Sequence, residues 1–221
     1  MSTIETSLLT TQVYDVLRSK IIGRKYLPGE KLDIHKLADE FGVSRSPVKD
    51  AINQLVHDGL IEIIPRKGTY VTQVNFTDFI DILDARLMIE TWAAQRITNT
   101  VTDEQVNEWG NIVHEMDSLL EVNPFPFDMY SKLDMKFHKM LVEWAGNRKV
   151  LEIYTSLNTH VSLSRIVHST SLESTKKRHQ DHRTLFEAIK NRDLPTILGT
   201  LTLHIASLKN EAELRWDEVM I

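Results

Sequence analysis

The sequence predicts a mainly α-helical protein in which three short helices and a β-hairpin precede an antiparallel bundle of longer helices. Three observations support this prediction. Apolar residues recur at helical spacing along most of the chain, strand-like runs occur only between residues 60 and 72, and turn sequences separate the segments. We place a boundary at Val74-Asn75, which gives predicted domains at 1–74 and 75–221.

The first two helices precede residue 43. Apolar residues at helical spacing predict the first helix, which ends at Gly23 and the turn at 27–29. In the second helix, apolar residues fall at i, i+3, i+4 and i+7. Asp33 suits its N-cap, and Gly42 suits the position that follows its last turn.

The third helix begins at Ser44 or Ser46, because Pro47 is tolerated in a first turn, and it runs to residues 58–59. Residues 60–64 and 69–72 predict two strands that a basic turn at 65–68 connects. Three helices followed by a hairpin indicate a winged helix-turn-helix, with the hairpin as the wing.

From Phe76 onward the pattern contains amphipathic helical runs and no strand. Turn sequences at 123–126, 146–147 and 191–193 separate these runs. The predicted helices span 76–97, 102–121, 126–145, 148–170, 174–191 and 194–217. Together they predict an all-α antiparallel bundle.

Composition limits the classes of function. Apolar residues make up 42% of the chain, no stretch is apolar enough to span a bilayer, and residues 1–10 lack a signal-peptide pattern, so we expect a cytoplasmic protein without membrane contact. The absence of cysteine excludes disulfides, a thiolate nucleophile and sulfur-ligated zinc. Any metal must therefore be held by carboxylates and by some of the nine histidines.

Net charge conceals a difference between the two parts of the chain. The total of −5 argues against nucleic acid, since DNA affinity rests largely on Lys and Arg. Residues 1–75, however, carry ten Lys and Arg against nine Asp and Glu (+1), whereas residues 76–221 carry sixteen against twenty-two (−6). The acidity belongs to the C-terminal part.

The third helix is the predicted DNA-recognition helix, because the second helix of a helix-turn-helix pair enters the major groove. Its polar residues adjoin the apolar stripe, and the hairpin tip is basic and placed to reach phosphates or the minor groove. The predicted contacts are Arg45, Ser46, Lys49 and Asn53 on the helix and Arg66 and Lys67 at the tip. Periodicity alone equally allows a small core with solvated charges.

Four short sequence motifs favour DNA binding over a small core with solvated charges. The segments PGEKL (28–32), LADEFGVSRSPVKDAI (37–52), DGL (58–60) and GTYV (68–71) closely resemble the winged helix of GntR-family regulators over residues 10–73. The resemblance implies base and phosphate contacts by Arg45, Ser46 and Lys49, and close approach of the Gly68 backbone to the minor groove. The family usually has Arg-Glu where this chain has Lys49-Asp50, and often a basic residue where it has His35, which predicts altered operator contacts.

Polar residues also interrupt the apolar faces of the C-terminal helices. Asp134 and His138 are four residues apart on one face, while His182 and His204 lie eleven residues before and after the predicted N-cap Asp193. The two histidines should therefore lie at matching heights, roughly 16 Å from the turn, on antiparallel helices. Three imidazoles and a carboxylate suit zinc, nickel, manganese or iron(II), although each histidine alone is more typical of a hydrogen-bonded core residue.

The same helices resemble the FCD effector domain of the FadR subfamily of GntR regulators over residues 77–215. The positions of Asp134, His138, His182 and His204 match its metal-binding pattern, which implies a divalent metal, zinc being the first expectation. The resemblance also places Arg86 at the ligand cavity, where a guanidinium can clamp a carboxylate effector. The alternative for Arg86 is an i, i+4 ion pair with Glu90.

The sequence as a whole predicts a homodimeric transcription regulator, a repressor that binds operator DNA under the control of a small carboxylate bound near the metal. It is not predicted to be an enzyme, because motifs such as His-Glu-x-x-His and phosphate-binding glycine loops are missing. Two alternatives stay open: a regulator for which the metal is the signal, and a metalloenzyme fused to a DNA-binding domain. His160, His168 and His179 are weaker candidates for the cavity lining.

Overall fold

A computed structural model describes residues 3–23, 25–73, 76–157 and 172–220, and within these ranges the chain forms nine helices and three short strands. The chain divides into two compact units, Met1–Asn75 and Phe76–Ile221. The predicted boundary residues, Val74 and Asn75, lie outside the described residues. In the described ranges, no helix is long and apolar enough to cross a membrane.

The first unit contains three helices and a three-stranded antiparallel sheet. Its elements are α1 (Thr3–Ile22), β1 (Lys31–Leu32), α2 (Ile34–Phe41), α3 (Arg45–His57), β2 (Ile61–Ile64) and β3 (Gly68–Val71). The strand order is β1-β3-β2, and β2 and β3 form the predicted hairpin. Sequence analysis missed β1, because two residues are too short to show an alternating pattern; the strand is defined by its pairing with Tyr70 and Thr69.

The caps of α2 explain why this short helix begins and ends where it does. The Asp33 carboxylate accepts hydrogen bonds from the backbone amides of His35 (2.8 Å) and Lys36 (3.3 Å). Gly42 ends the helix with φ of 65°, in the left-handed region. Both predicted caps are therefore present, and Ser44 occupies the N-cap position of α3.

Replacing Gly42 tests the cost of that left-handed turn. A Cβ at residue 42 would meet no atom within 4 Å, so Gly42→Ala changes only the backbone preference. We expect the first unit to lose about 1 kcal/mol of stability, and Gly42→Asn to lose less. Native-state hydrogen exchange of the amides in α2 and α3 measures the loss.

Gly199 provides a matched control for this prediction. It is also exposed, and a Cβ added there would again meet no atom within 4 Å, but Gly199 lies inside a helix without a positive φ. Gly199→Ala should be neutral or stabilising, because alanine favours helix interiors. Unchanged protection of α2 and α3 in Gly42→Ala would contradict the assignment of backbone strain at that turn.

The second unit is a helical bundle, and its described residues contain no strand. The helices are α4 (Phe76–Ile97), α5 (Asp103–Leu119), α6 (Phe127–Trp144), α7 (Arg148–Ser156), α8 (Leu172–Lys190) and α9 (Leu194–Met220). Helix α4 packs against α6 and α9, and α8 packs against α5 and α9. The predicted helix at 148–170 ends at Ser156 in the described part, and residues 158–171 lie outside it.

The turn between α8 and α9 determines which of their residues lie side by side. The Asp193 carboxylate accepts hydrogen bonds from the backbone amide (3.2 Å) and the hydroxyl (2.5 Å) of Thr196, as expected for an N-cap. Arg192 precedes it with φ of 57°. This tight turn returns the chain along α8, so residues at equal distances from Asp193 become neighbours.

Candidate functional site

Three buried histidines from three helices form a compact cluster in the second unit. His138 lies on α6, His182 on α8 and His204 on α9, and one ring nitrogen from each lies within 4.8 Å of the other two. The ring centroids are 5.1–5.2 Å apart. Asp134, one turn before His138, places Oδ1 3.1 Å from His182 Nε2 and 4.0 Å from His138 Nε2. The structure thus brings the three predicted histidines together and places the carboxylate of Asp134 beside two of them, His182 and His138.

The distances between the donor atoms suit a common metal ion. His138 Nε2 and His182 Nε2 are 3.1 Å apart, which equals the distance from His182 Nε2 to Asp134 Oδ1. Two ligand atoms that are each about 2.1 Å from a metal lie roughly 3.0–3.4 Å apart at angles of 90–110°. The donor atoms of His138, His182 and Asp134 therefore have spacings that fit a divalent cation, and a ring nitrogen of His204 lies within 4.8 Å of those of the other two histidines.

Carboxylates behind two of the histidines orient their rings. Glu90 Oε2 lies 3.0 Å from His138 Nδ1, and Asp181 Oδ2 lies 3.0 Å from His204 Nδ1. A proton on each Nδ1 is then donated to a carboxylate, which leaves Nε2 as the free lone pair, as is usual for metal-binding histidines. His182 Nδ1 differs, since it has no hydrogen-bond partner among the described residues.

Burial sets the protonation of the cluster. It lowers the pKa of His138 to about 3, with the positive charge of Arg86 adding to the effect, and burial also lowers the pKa of His204. Burial alone would raise the pKa of Asp134, but the hydrogen bond with His182 and the positive charge of Arg86 hold it well below its usual range. These shifts favour neutral imidazoles at His138 and His204 and an ionised carboxylate at Asp134, which are the forms that bind metals.

A buried ion pair adjoins the cluster. Arg86 and Glu90 on α4 are both fully buried, and Glu90 Oε1 accepts from Arg86 Nε (2.5 Å) and from the Tyr154 hydroxyl (2.7 Å). The guanidinium Nη1 and Nη2 have no hydrogen-bond partner among the described residues. The predicted i, i+4 ion pair therefore exists, but it uses Nε, and no described residue occupies the two terminal nitrogens, which have the geometry to bind a carboxylate.

Sequence reasoning missed the residues that support the cluster. It named Glu90 only as a partner of Arg86, and it did not identify Tyr154 or Asp181. Asp181 directly precedes His182 but contacts His204, on the neighbouring helix. No spacing rule within one helix predicts such a contact, so a single sequence contains no signal for it.

Of the three weaker histidine candidates for the cavity lining, one lies within the described residues and two lie outside them. His179 is buried in the same unit, where Nε2 lies 2.7 Å from Asp117 Oδ1 and Nδ1 lies 3.1 Å from the Tyr130 hydroxyl. Both of its ring nitrogens therefore have protein partners, which is typical of a core histidine. His160 and His168 lie outside the described residues.

The predicted DNA-contact residues of α3 lie on the exposed side of that helix. Arg45, Ser46, Lys49 and Asn53 are all exposed on α3. The opposite side of that helix is buried and consists of Pro47, Val48, Ala51, Ile52 and Leu55. Burial of the apolar face fixes α3 on the unit and leaves its polar face free to enter a major groove.

The wing presents a second basic surface. Arg66 and Lys67 are exposed at the turn between β2 and β3, followed by Gly68 with φ of 134°. A Cβ at Gly68 would lie 2.7 Å from Cε of Lys31, whose ammonium lies 5.8 Å from the centre of the Tyr70 ring. Glycine at position 68 therefore provides the room in which the Lys31 side chain crosses the wing, a contact that sequence analysis did not anticipate.

Comparisons with known proteins agree with this architecture. A family model described as "Bacterial regulatory proteins, gntR family" matches residues 9–71, and the FCD domain model matches residues 81–207. The Escherichia coli K12 transcriptional repressor RspR is 26% identical over 93% of this chain and 92% of its own length. The gluconate operon transcriptional repressor of Bacillus licheniformis is 27% identical over 90% of this chain and 83% of its own length.

Solved structures show the same fold. Escherichia coli McbR/YncC has a TM-score of 0.70 at 19% identity, with 95% of this chain and 98% of that one covered. Lar of Listeria monocytogenes has a TM-score of 0.66 at 19% identity, with 93% and 96% covered. These likenesses support a winged helix-turn-helix followed by a helical domain.

Proposed function

The chain belongs to the GntR family of bacterial regulatory proteins and carries an FCD domain, and from this premise we propose that it represses transcription under the control of a small carboxylate bound beside a divalent metal. One observation carries the effector part of the proposal. Three buried histidines lie together beside the partly buried Asp134, and one of them, His138, shares the carboxylate of Glu90 with Arg86, whose two terminal nitrogens have no partner among the described residues. Repressors occur among the relatives, which supports repression over activation of transcription.

In this proposal the metal is held by Asp134, His138, His182 and His204. The donor set contains nitrogen and oxygen but no sulfur, which suits zinc first and also nickel, manganese or iron(II). When bound, such an ion supplies a positive charge and a coordination position for an oxygen of the effector. The two terminal nitrogens of Arg86 would hold the other end of the carboxylate bidentately.

DNA binding is assigned to α3 and the wing. In a homodimer, two recognition helices would read two operator half-sites, as is usual for helix-turn-helix dimers. For the carboxylate to regulate this binding, it must have different affinities for the DNA-binding and non-binding arrangements of the dimer.

The test begins with purified full-length protein, its metal content and a DNA sequence selected from a random library. Carboxylates are titrated by calorimetry and then added to the protein–DNA complex. Gluconate is the first candidate, because relatives are gluconate operon repressors. We expect about one metal per chain and a carboxylate that changes DNA affinity by about 5- to 150-fold. DNA binding that responds to free metal but to no carboxylate would instead make the metal the signal.

Replacing Arg86 separates carboxylate binding from metal binding. Arg86→Lys keeps the charge beside Glu90 but cannot offer two parallel N–H donors. We expect carboxylate affinity to fall about 10- to 100-fold, while the metal content stays the same. Calorimetry and elemental analysis measure the two quantities.

Arg183→Lys is the matched control for this variant, since Arg183 lies on α8 and pairs with Asp117 at the surface. It should change neither quantity. Full carboxylate affinity in Arg86→Lys would show that Arg86 serves the ion pair alone.

A further inference from the structure

Glu90 contacts both the arginine assigned to the carboxylate and a histidine assigned to the metal. Its Oε1 accepts from Arg86 Nε, and its Oε2 lies 3.0 Å from His138 Nδ1. All three side chains are fully buried, so solvent screens their interactions little. A change in charge near Arg86 must therefore alter the electrostatic potential at His138, and the reverse.

We propose that Glu90 couples the two ligands, so that a metal at the histidines strengthens carboxylate binding at Arg86, and a carboxylate at Arg86 strengthens metal binding. The inference rests on the proposed function, since it requires both sites. It assigns Glu90 as a positioning residue and makes the coupling positive. The metal increases the affinity for the effector through the contacts of Glu90, in addition to any direct bond between metal and effector.

The sign follows from the order of the charges. With both ligands bound, the sequence is carboxylate (−), Arg86 (+), Glu90 (−) and metal (+), so that each charge adjoins its opposite. A metal on His138 draws the Glu90 carboxylate toward the Nδ1 proton, which leaves Arg86 less neutralised and more attractive to an anion. A carboxylate on Arg86 in turn leaves Glu90 a stronger acceptor for His138, whose Nε2 becomes a better metal donor. Thermodynamic linkage makes the two effects equal in size.

Glu90→Gln tests the inference because it gives changes in opposite directions. Zn²⁺ affinity should fall about 10- to 100-fold, as expected when the carboxylate behind a metal-binding histidine is lost. Acetate should bind the metal-free variant as tightly as wild type or more tightly, because Arg86 has lost its counter-ion. General damage to the fold would weaken both ligands.

The coupling factor is the ratio of acetate affinities measured with and without Zn²⁺, by calorimetry on the full chain. We expect a factor of at least about 5 in wild type and a factor at least ~3-fold smaller in Glu90→Gln. Asp117→Asn is the matched control: Asp117 also accepts from an arginine and a histidine of this unit, Arg183 and His179, neither of which is a proposed ligand of the metal or of the carboxylate, although the His179 ring lies 5.5 Å from that of His182. Its coupling factor should equal that of wild type.

Tyr154→Phe keeps the test decisive if Glu90→Gln does not fold. Removing the hydroxyl that donates to Glu90 Oε1 concentrates the negative charge of Glu90 on its other two partners. Zn²⁺ should then bind more tightly and acetate should bind the metal-free protein more weakly, the reverse of the Glu90→Gln pattern. Tyr14→Phe, which removes a tyrosine–carboxylate hydrogen bond in the first unit, should change neither affinity.

The outcomes distinguish this inference from the proposed function. Wild-type protein that binds neither Zn²⁺ nor acetate overturns both. Wild-type protein that binds both ligands independently, or a Glu90→Gln variant that retains the full coupling factor, overturns the role of Glu90 and leaves the two binding sites in place. Opposite shifts in the Gln and Phe variants, with unchanged controls, support it.

Discussion

The double variant His182→Ala, His204→Ala is expected to contain no metal after purification, whereas wild type retains about one ion per chain. These two histidines belong to α8 and α9, and their removal leaves only Asp134 and His138 on α6. Loss of one supporting residue behind a metal ligand costs about 10- to 100-fold in affinity, so loss of two of the proposed ligands should cost on the order of 10⁴-fold or more. Elemental analysis measures the metal content.

Thermal unfolding with and without a chelator provides a second measurement. The chelator should lower the melting temperature of wild type, because a ligand that binds only the folded state stabilises it. It should leave the double variant unchanged. His114→Ala is the control, because His114 is an exposed histidine of the same unit and should retain full metal content. If wild type is purified without metal and cannot be reloaded, the histidines serve only to pack the core. Arg86 then becomes the main candidate for binding the effector.

Arg45→Ala is expected to lower operator affinity about 10- to 100-fold, as for the loss of one good contact to a base. Arg45 is the first residue of α3 and is exposed, so its removal should not affect stability. Affinity for unrelated DNA should fall much less, because contacts to base edges carry the sequence specificity. Fluorescence anisotropy at fixed salt concentration compares the two DNAs.

Arg148 offers a matched control for this variant. It is likewise an exposed arginine at the first position of a helix, α7, but it belongs to the second unit. Arg148→Ala should leave both DNA affinities unchanged. If Arg45→Ala lowers the affinity for operator and unrelated DNA equally, Arg45 contacts the phosphate backbone. If it lowers neither affinity, Arg45 is not part of the DNA interface.

Much of the fold was predictable because its signals are local. Helical spacing and turn residues gave α4 and α5 within two residues of their observed ends, and Asp33 and Gly42 gave both ends of α2. Strand β1 was missed for a physical reason: its two residues acquire strand geometry only through pairing with β3, which lies about forty residues later.

The site was predictable only in part. The positions of His182 and His204 could be matched because one tight turn at Asp193 fixes the register of two antiparallel helices. The contact between Glu90 and His138 could not, since 48 residues separate them and periodicity does not specify how α4 is rotated against α6. Residue types therefore indicated the chemistry, and packing determined which groups share a hydrogen bond.

The packing around Trp109 gives this protein an intrinsic optical reporter. Trp109 stacks on Phe137 with ring centroids 4.8 Å apart, and the Phe137 ring lies 4.9 Å from that of His182. All four tryptophans of the chain follow residue 76, so indole emission arises entirely from the second unit. We therefore expect a ligand bound at the histidine cluster to change the indole emission of unlabelled protein, so that the second unit can be followed separately from labelled DNA in the same cuvette.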